Sequence, residues 1–108
     1  MNLKKLKSKT KRNKHMPVKV MIPTPLRPYT ENKDSVEVDG RTVDEILSNL
    51  SVKYPQLKRH LFSEDGKLRN FVNIYVNDED IRYLGGGNTQ VKEGDVVSII
   101  PAIAGGNF

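Results

Sequence analysis

The chain has 108 residues, no cysteine and a net charge of +5. That length allows one domain with a modest core, and the missing cysteines exclude a disulfide framework, a thiolate metal site and a thiol nucleophile. No apolar run approaches the ~20 residues that span a bilayer, and no apolar stretch of a secretory signal follows the basic start. A soluble, cytoplasmic protein is expected.

The charge is unevenly placed. Residues 1–15 hold Lys4, Lys5, Lys7, Lys9, Lys11, Arg12 and Lys14 and no acid; the other 11 basic residues face 13 acidic ones, leaving the rest of the chain at −2. A like-charge block without apolar spacing predicts a disordered tail. As a nucleic-acid contact it lacks interleaved aromatics that would stack on bases, so the tail reads as an extension of a domain that begins at Met16.

Val18, Val20 and Ile22 alternate with Lys19 and Met21, the period of a strand with one buried face. Pro23, Pro25 and Pro28 predict an extended or turned Thr24–Tyr29 segment rather than a helical one. Ser35–Val38 reads as a second strand closed by Asp39-Gly40, giving a hairpin with a long connection.

Thr42 with Glu45 three residues on forms a capping box. Val43, Ile46, Leu47 and Leu50 then fall on one stripe, and Asp44 and Glu45 suit the positive end of the helix dipole. With Tyr54-Pro55 as a stop, the pattern predicts a helix over 43–53. Leu57, Leu61 and Phe62 suggest a short second turn or helix, and Glu64-Asp65-Gly66 a loop.

Phe71–Val76 is rich in β-branched and aromatic residues and reads as a strand. Asn77-Asp78 turns it, and Ile81–Leu84 is expected to return as its partner. Gly85-Gly86-Gly87-Asn88 reads as a flexible break, and Glu93-Gly94-Asp95 as the turn into a last strand, Val96–Ile100. The order is close to ββαβββ, an α+β arrangement with one main helix covering one mixed sheet.

Few side chains suggest chemistry of their own. His15 and His60 lie far apart without metal-ligand spacing, and His60 beside Lys58 and Arg59 reads as a surface residue. Asp78, Glu79 and Asp80 lack the glycine and spacing of a calcium loop and read as a solvated turn with a possible docking role. The triple glycine lacks the Lys-Ser/Thr of a phosphate cradle. No catalytic residue and no metal site is expected.

Three segments together resemble the ThiS/MoaD sulfur-carrier family: Ile22–Arg27 after the first strand, the block Phe71–Arg82, and Gly94–Gly106. The last is similar to the family's C-terminal signature of acidic turn, apolar strand, proline, small-residue linker and Gly-Gly. The FVNIYVNDEDIR block resembles the CysO-type carriers of cysteine synthesis. The resemblance covers about residues 17–106 and implies a ubiquitin-like β-grasp at 16–101, with a flexible tail at 102–108.

It also implies a carrier rather than an enzyme. An E1-like adenylyltransferase of the MoeB/ThiF type would use ATP to adenylate the Gly106 carboxylate, with the carrier itself binding no cofactor. Sulfur would then replace AMP to give a thiocarboxylate. Ala104, Gly105 and Gly106 would enter the partner's active site, since glycines make a thin and pliable backbone. Residues 102–106 reach at most about 17 Å when extended. Asn107-Phe108 departs from a terminal Gly-Gly, so the resemblance implies cleavage between Gly106 and Asn107 by a zinc-dependent JAMM-type protease. The expected acceptor is a pyridoxal-phosphate-dependent, cysteine synthase-like enzyme. Thiamine, molybdopterin and siderophore pathways, or conjugation to proteins through Gly106, are the alternatives.

Overall fold

The computed structural model describes residues 17–101. The expected basic tail, 1–15, and the expected C-terminal tail, 102–108, lie outside the described residues. Between them run β1 (Pro17–Met21), β2 (Ser35–Asp39), α1 (Val43–Lys53), a short α2 (Lys58–Leu61), β3 (Val72–Val76), β4 (Glu79–Asp80) and β5 (Val96–Pro101), with 3-10 turns in the connections. The five strands form one mixed sheet in the order β2-β1-β5-β3-β4.

Alternation decides which face is buried. Val18, Val20, Val36, Val38, Val72, Ile74, Val76, Val97 and Ile99 point to one side and form the core with Val43, Ile46, Leu47 and Leu50 of α1. Each buried aliphatic side chain contributes about 1.5–3 kcal/mol of transfer free energy, so this layer outweighs any single polar contact. The helix spans the predicted residues. Thr42 Oγ1 accepts from Glu45 N at 3.2 Å, while the Glu45 carboxylate accepts from Arg41 N at 2.8 Å. The return arm of the capping box therefore lands one residue before the cap.

Asn77 and Asp78 both have positive φ, 50° and 76°, the two-residue hairpin geometry that matches strand twist. The strand returning from this turn is shorter than expected. Only Glu79 and Asp80 pair with β3, and Ile81–Tyr83 is a 3-10 turn. Asp80 causes this: its carboxylate accepts from Arg82 N at 2.8 Å and binds the Arg82 guanidinium, drawing the chain off the ladder. Asp80 is therefore a buried, paired carboxylate and not part of a solvated turn.

Thr24–Tyr29 is likewise a 3-10 helix rather than an extended segment. Pro25 lies in its first turn, where the missing N–H would be unpaired anyway, and fully buried Leu26 anchors it to the core. Gly85–Asn88 is not a loose break. Its 3-10 turn at Gly86–Asn88 packs on the start of α1, where Val43 N donates to Thr89 O at 3.0 Å. A Cβ on Gly87 would overlap the Asp44 carboxylate. His60 is half-buried with its ring stacked on Tyr29 at 4.5 Å, not a free surface residue. Burial pushes its pKa down, aided by the positive charges of Arg59 and Arg69.

Two substitutions test this account. Leu50→Ala removes a fully buried side chain from the stripe and is expected to cost about 2–5 kcal/mol. Thr42→Ala is expected to cost about 0.5–2 kcal/mol. Urea denaturation checks both, and equal losses would contradict the ranking of core over cap.

Candidate functional site: the exit of the last strand

The sequence-predicted site residues Ala104, Gly105, Gly106 and Asn107 lie outside the described residues. What the structure defines is the base from which they extend. β5 runs parallel to β1, with Lys19, Val20 and Met21 opposite Val96, Val97 and Ser98. It runs antiparallel to β3, with Val72 through Val76 opposite Pro101 through Val97. The strand that carries the tail is thus held on both sides at Val97 and Ser98, and by β3 alone up to its exit at Pro101.

The entry to β5 is pinned as well. Asp95 is buried, and its carboxylate accepts from Asn77 Nδ2 and from Lys92 N, both at 2.9 Å. Asn77 Oδ1 in turn accepts from Val96 N at 2.9 Å, and Asp95 O accepts from Lys19 N at 3.2 Å. This clamp ties the β3–β4 turn, β1 and the start of β5 together. Asn77 holds the Asp95 carboxyl below the usual carboxylate range, with help from Lys92.

At the exit end the helix-facing residues Val97 and Ile99 are buried, while Ile100 remains 44% exposed on the open face. Met21 and Phe71 are each more than a third exposed, and the pairing of β1 and β3 with β5 sets both near that exit. Arg27 and Arg69 stand on either side. Arg27 Nε donates to Ile22 O at 3.0 Å, just past β1, and Arg69 Nε donates to Arg59 O at 2.8 Å, just before β3. Sequence reasoning assigned these residues no role. The only signal was the place of Arg27 in the segment that carried the family resemblance; Arg69 has no local pattern to mark it.

Among the described residues no group of three or more His, Asp or Glu side chains is arranged to hold a metal ion, and no helix is long and apolar enough to cross a membrane. The arrangement is a rigid platform with one strand end directed outward, flanked by apolar side chains and two arginines.

A pH prediction comes from the clamp. Asp95 titrates below its ordinary value in the fold, so its contribution is present above the unfolded pKa of about 4 and lost as pH falls through the lower folded value. Asp95→Asn is expected to lower stability at pH 7 and to flatten the acid limb of a stability–pH curve. An acid limb unchanged from wild type would contradict the clamp.

The sequence profile of the ThiS family matches residues 20–106, ending on the second glycine of the Gly-Gly pair. The sulfur carrier protein CysO of Mycobacterium tuberculosis is 48% identical over 93 residues, covering 84% of this chain and all of that protein. CysO in the crystal structure of the Amycolatopsis orientalis BexX/CysO complex is 47% identical, with a TM-score of 0.75, covering 82% of this chain and 99% of that one. Small archaeal modifier protein 1 of Methanosarcina acetivorans is 32% identical, with the same TM-score of 0.75, covering 85% and 98%. The solved relatives share the ubiquitin-like β-grasp, and the chain belongs to the ThiS family, close to the CysO sulfur carriers.

Proposed function

We propose that this protein is a sulfur carrier for cysteine or related sulfur amino-acid synthesis, working through a thiocarboxylate at Gly106. The observation that carries the reading is the match of the ThiS profile up to Gly106, on a chain whose last described strand ends five residues earlier at Pro101. Those five residues reach at most about 17 Å, enough to carry a carboxylate from the platform into a partner's buried site.

The chemistry runs in four steps. A metalloprotease of the JAMM type hydrolyses the Gly106–Asn107 bond and frees the Gly106 carboxylate. An E1-like adenylyltransferase then lets that carboxylate attack the α-phosphate of ATP, releasing pyrophosphate and leaving an acyl-adenylate. A sulfur nucleophile supplied by the sulfurating system displaces AMP, so one carboxylate oxygen is replaced by sulfur. The thiocarboxylate sulfur then bonds to an acceptor substrate held on a pyridoxal-phosphate-dependent, cysteine synthase-like enzyme, and hydrolysis of the acyl–sulfur bond releases the product and returns the Gly106 carboxylate. In this scheme ATP and pyridoxal phosphate belong to the partners, and the carrier contributes reach and a recognisable body. A pathway that runs on ATP and pyridoxal phosphate places the protein in the cytoplasm. The 47% identity to a CysO that is seen in complex with BexX supports a role played through partner proteins.

Conjugation to target proteins is the second reading, favoured by the likeness to a small archaeal modifier protein. There the same activated Gly106 would acylate lysine amines and leave Gly-Gly branches on other proteins.

Mixed with ATP and the E1-like enzyme of the same cell, the chain ending at Gly106 is expected to form an acyl-adenylate, and the chain through Phe108 is expected to form none. An adenylate on the untrimmed chain would sink the maturation step. Gly-Gly branches on cellular lysines, without any thiocarboxylate, would decide for the modifier reading.

A further inference from the structure

The tail exit carries a distinctive set of charges. Arg27 and Arg69 are each only partly exposed, and each is fixed by its Nε to a backbone carbonyl, at 3.0 and 2.8 Å. Neither forms a salt bridge within 4.0 Å with an acid among the described residues, in contrast to Arg82, which is bound to Asp80. The carbonyl that holds Arg69 belongs to Arg59, whose own side chain is exposed.

Topology sets these groups around one point. Ile22, the anchor of Arg27, follows β1 directly, and Arg69 O accepts from Val72 N, the first residue of β3 and the partner of Pro101. β1 and β3 flank β5, so the segments that carry Arg27 and Arg69 lie on opposite sides of the strand that leads to the tail. The Tyr29–His60 stack joins the segments that bear Arg27 and Arg59.

The opposite end of the sheet is mainly acidic, with Lys92 as an exposed basic exception. Asp78 and Glu79 at the β3–β4 turn and Glu93 before β5 are exposed there, at the end where Val76 pairs with Val97. The three arginines therefore gather on the exit side, with exposed Asp34 beside the anchor of Arg27, whereas the far turns are mainly acidic.

We propose that Arg27, Arg59 and Arg69 form a docking collar for an acidic rim around the mouth of the activating enzyme's adenylation channel. The proposal rests on the carrier reading above. The collar orients the tail end-on toward a complementary surface, so its effect falls on encounter and affinity rather than on the chemical step. Arginine suits this use because its guanidinium forks onto carboxylates while the stem stays pinned.

The test measures ATP–pyrophosphate exchange by the E1-like enzyme, using the chain ending at Gly106 as the varied substrate. Neutralising the collar as Arg27→Gln, Arg59→Ala and Arg69→Gln is expected to raise KM for the carrier at least fivefold with kcat unchanged. Glu93→Gln at the far pole serves as the control and should leave KM as it was. Independently of any variant, the wild-type KM is expected to rise with ionic strength, and the neutralised chain should show a flatter dependence. A wild-type KM insensitive to salt, or an unchanged KM in the folded triple variant, overturns the collar while leaving the carrier reading standing. No exchange at all with the wild-type chain would overturn the carrier reading and the collar with it.

Discussion

The last strand of the chain is the middle strand of the sheet, and most of the architecture follows from that placement. β5 pairs with β1 on one side and β3 on the other, held by both at Val97 and Ser98 and by β3 alone from Ile99 to Pro101. A strand held on both sides cannot slip register without turning Val97 and Ile99 out of the core. The Asn77–Asp95 clamp fixes its start, and the pairing of Pro101 with Val72 fixes its end. The chain thereby leaves the sheet at a defined point, Pro101. The same placement makes folding depend on long-range pairing, because the sheet centre cannot close until the C-terminal strand is present.

The faces of this sheet divide the work. One side is sealed by α1 and the 3-10 helix at 24–29, and carries the apolar area that holds the fold together. The other side stays open, with Met21 and Ile100 partly exposed near the exit. Among the described residues, buried Thr30, Asp80 and Asp95 serve turns and the β5 clamp, and Ser51 donates back to Leu47 O within α1. Thr42, Asp80 and Asp95 each accept hydrogen bonds that end or begin an element.

Local chemistry made much of this legible. The Thr42–Glu45 pair marked the start of the helix and Tyr54-Pro55 its end, and Asn77-Asp78 marked a tight hairpin because both residues tolerate positive φ. The alternation in β1 and the β-branched run in β3 gave the strands and their buried faces. The failures have a common cause, which is tertiary packing acting on ambiguous segments. Prolines at 23, 25 and 28 argued against helix, yet Leu26 needed a place in the core, and a 3-10 helix accommodates both. Ile81–Leu84 looks like a strand by composition, but Asp80 and Arg82, two residues apart, turn the chain away. His60 looked solvent-facing from its charged neighbours, and only the fold brings Tyr29 across its ring. The arginine collar was invisible for the same reason, since residues 27, 59 and 69 meet only through the sheet order. The tail residues themselves were recognised through family resemblance, which the ThiS match through Gly106 supports.

The central claim is that this platform serves a sulfur-bearing terminus at Gly106. The most direct measurement is the intact mass of the protein isolated from its own cells under sulfur demand. The account predicts a chain lacking Asn107 and Phe108 in which one oxygen of the Gly106 carboxylate is replaced by sulfur. A chain that keeps both residues and an unchanged mass under those conditions would contradict it.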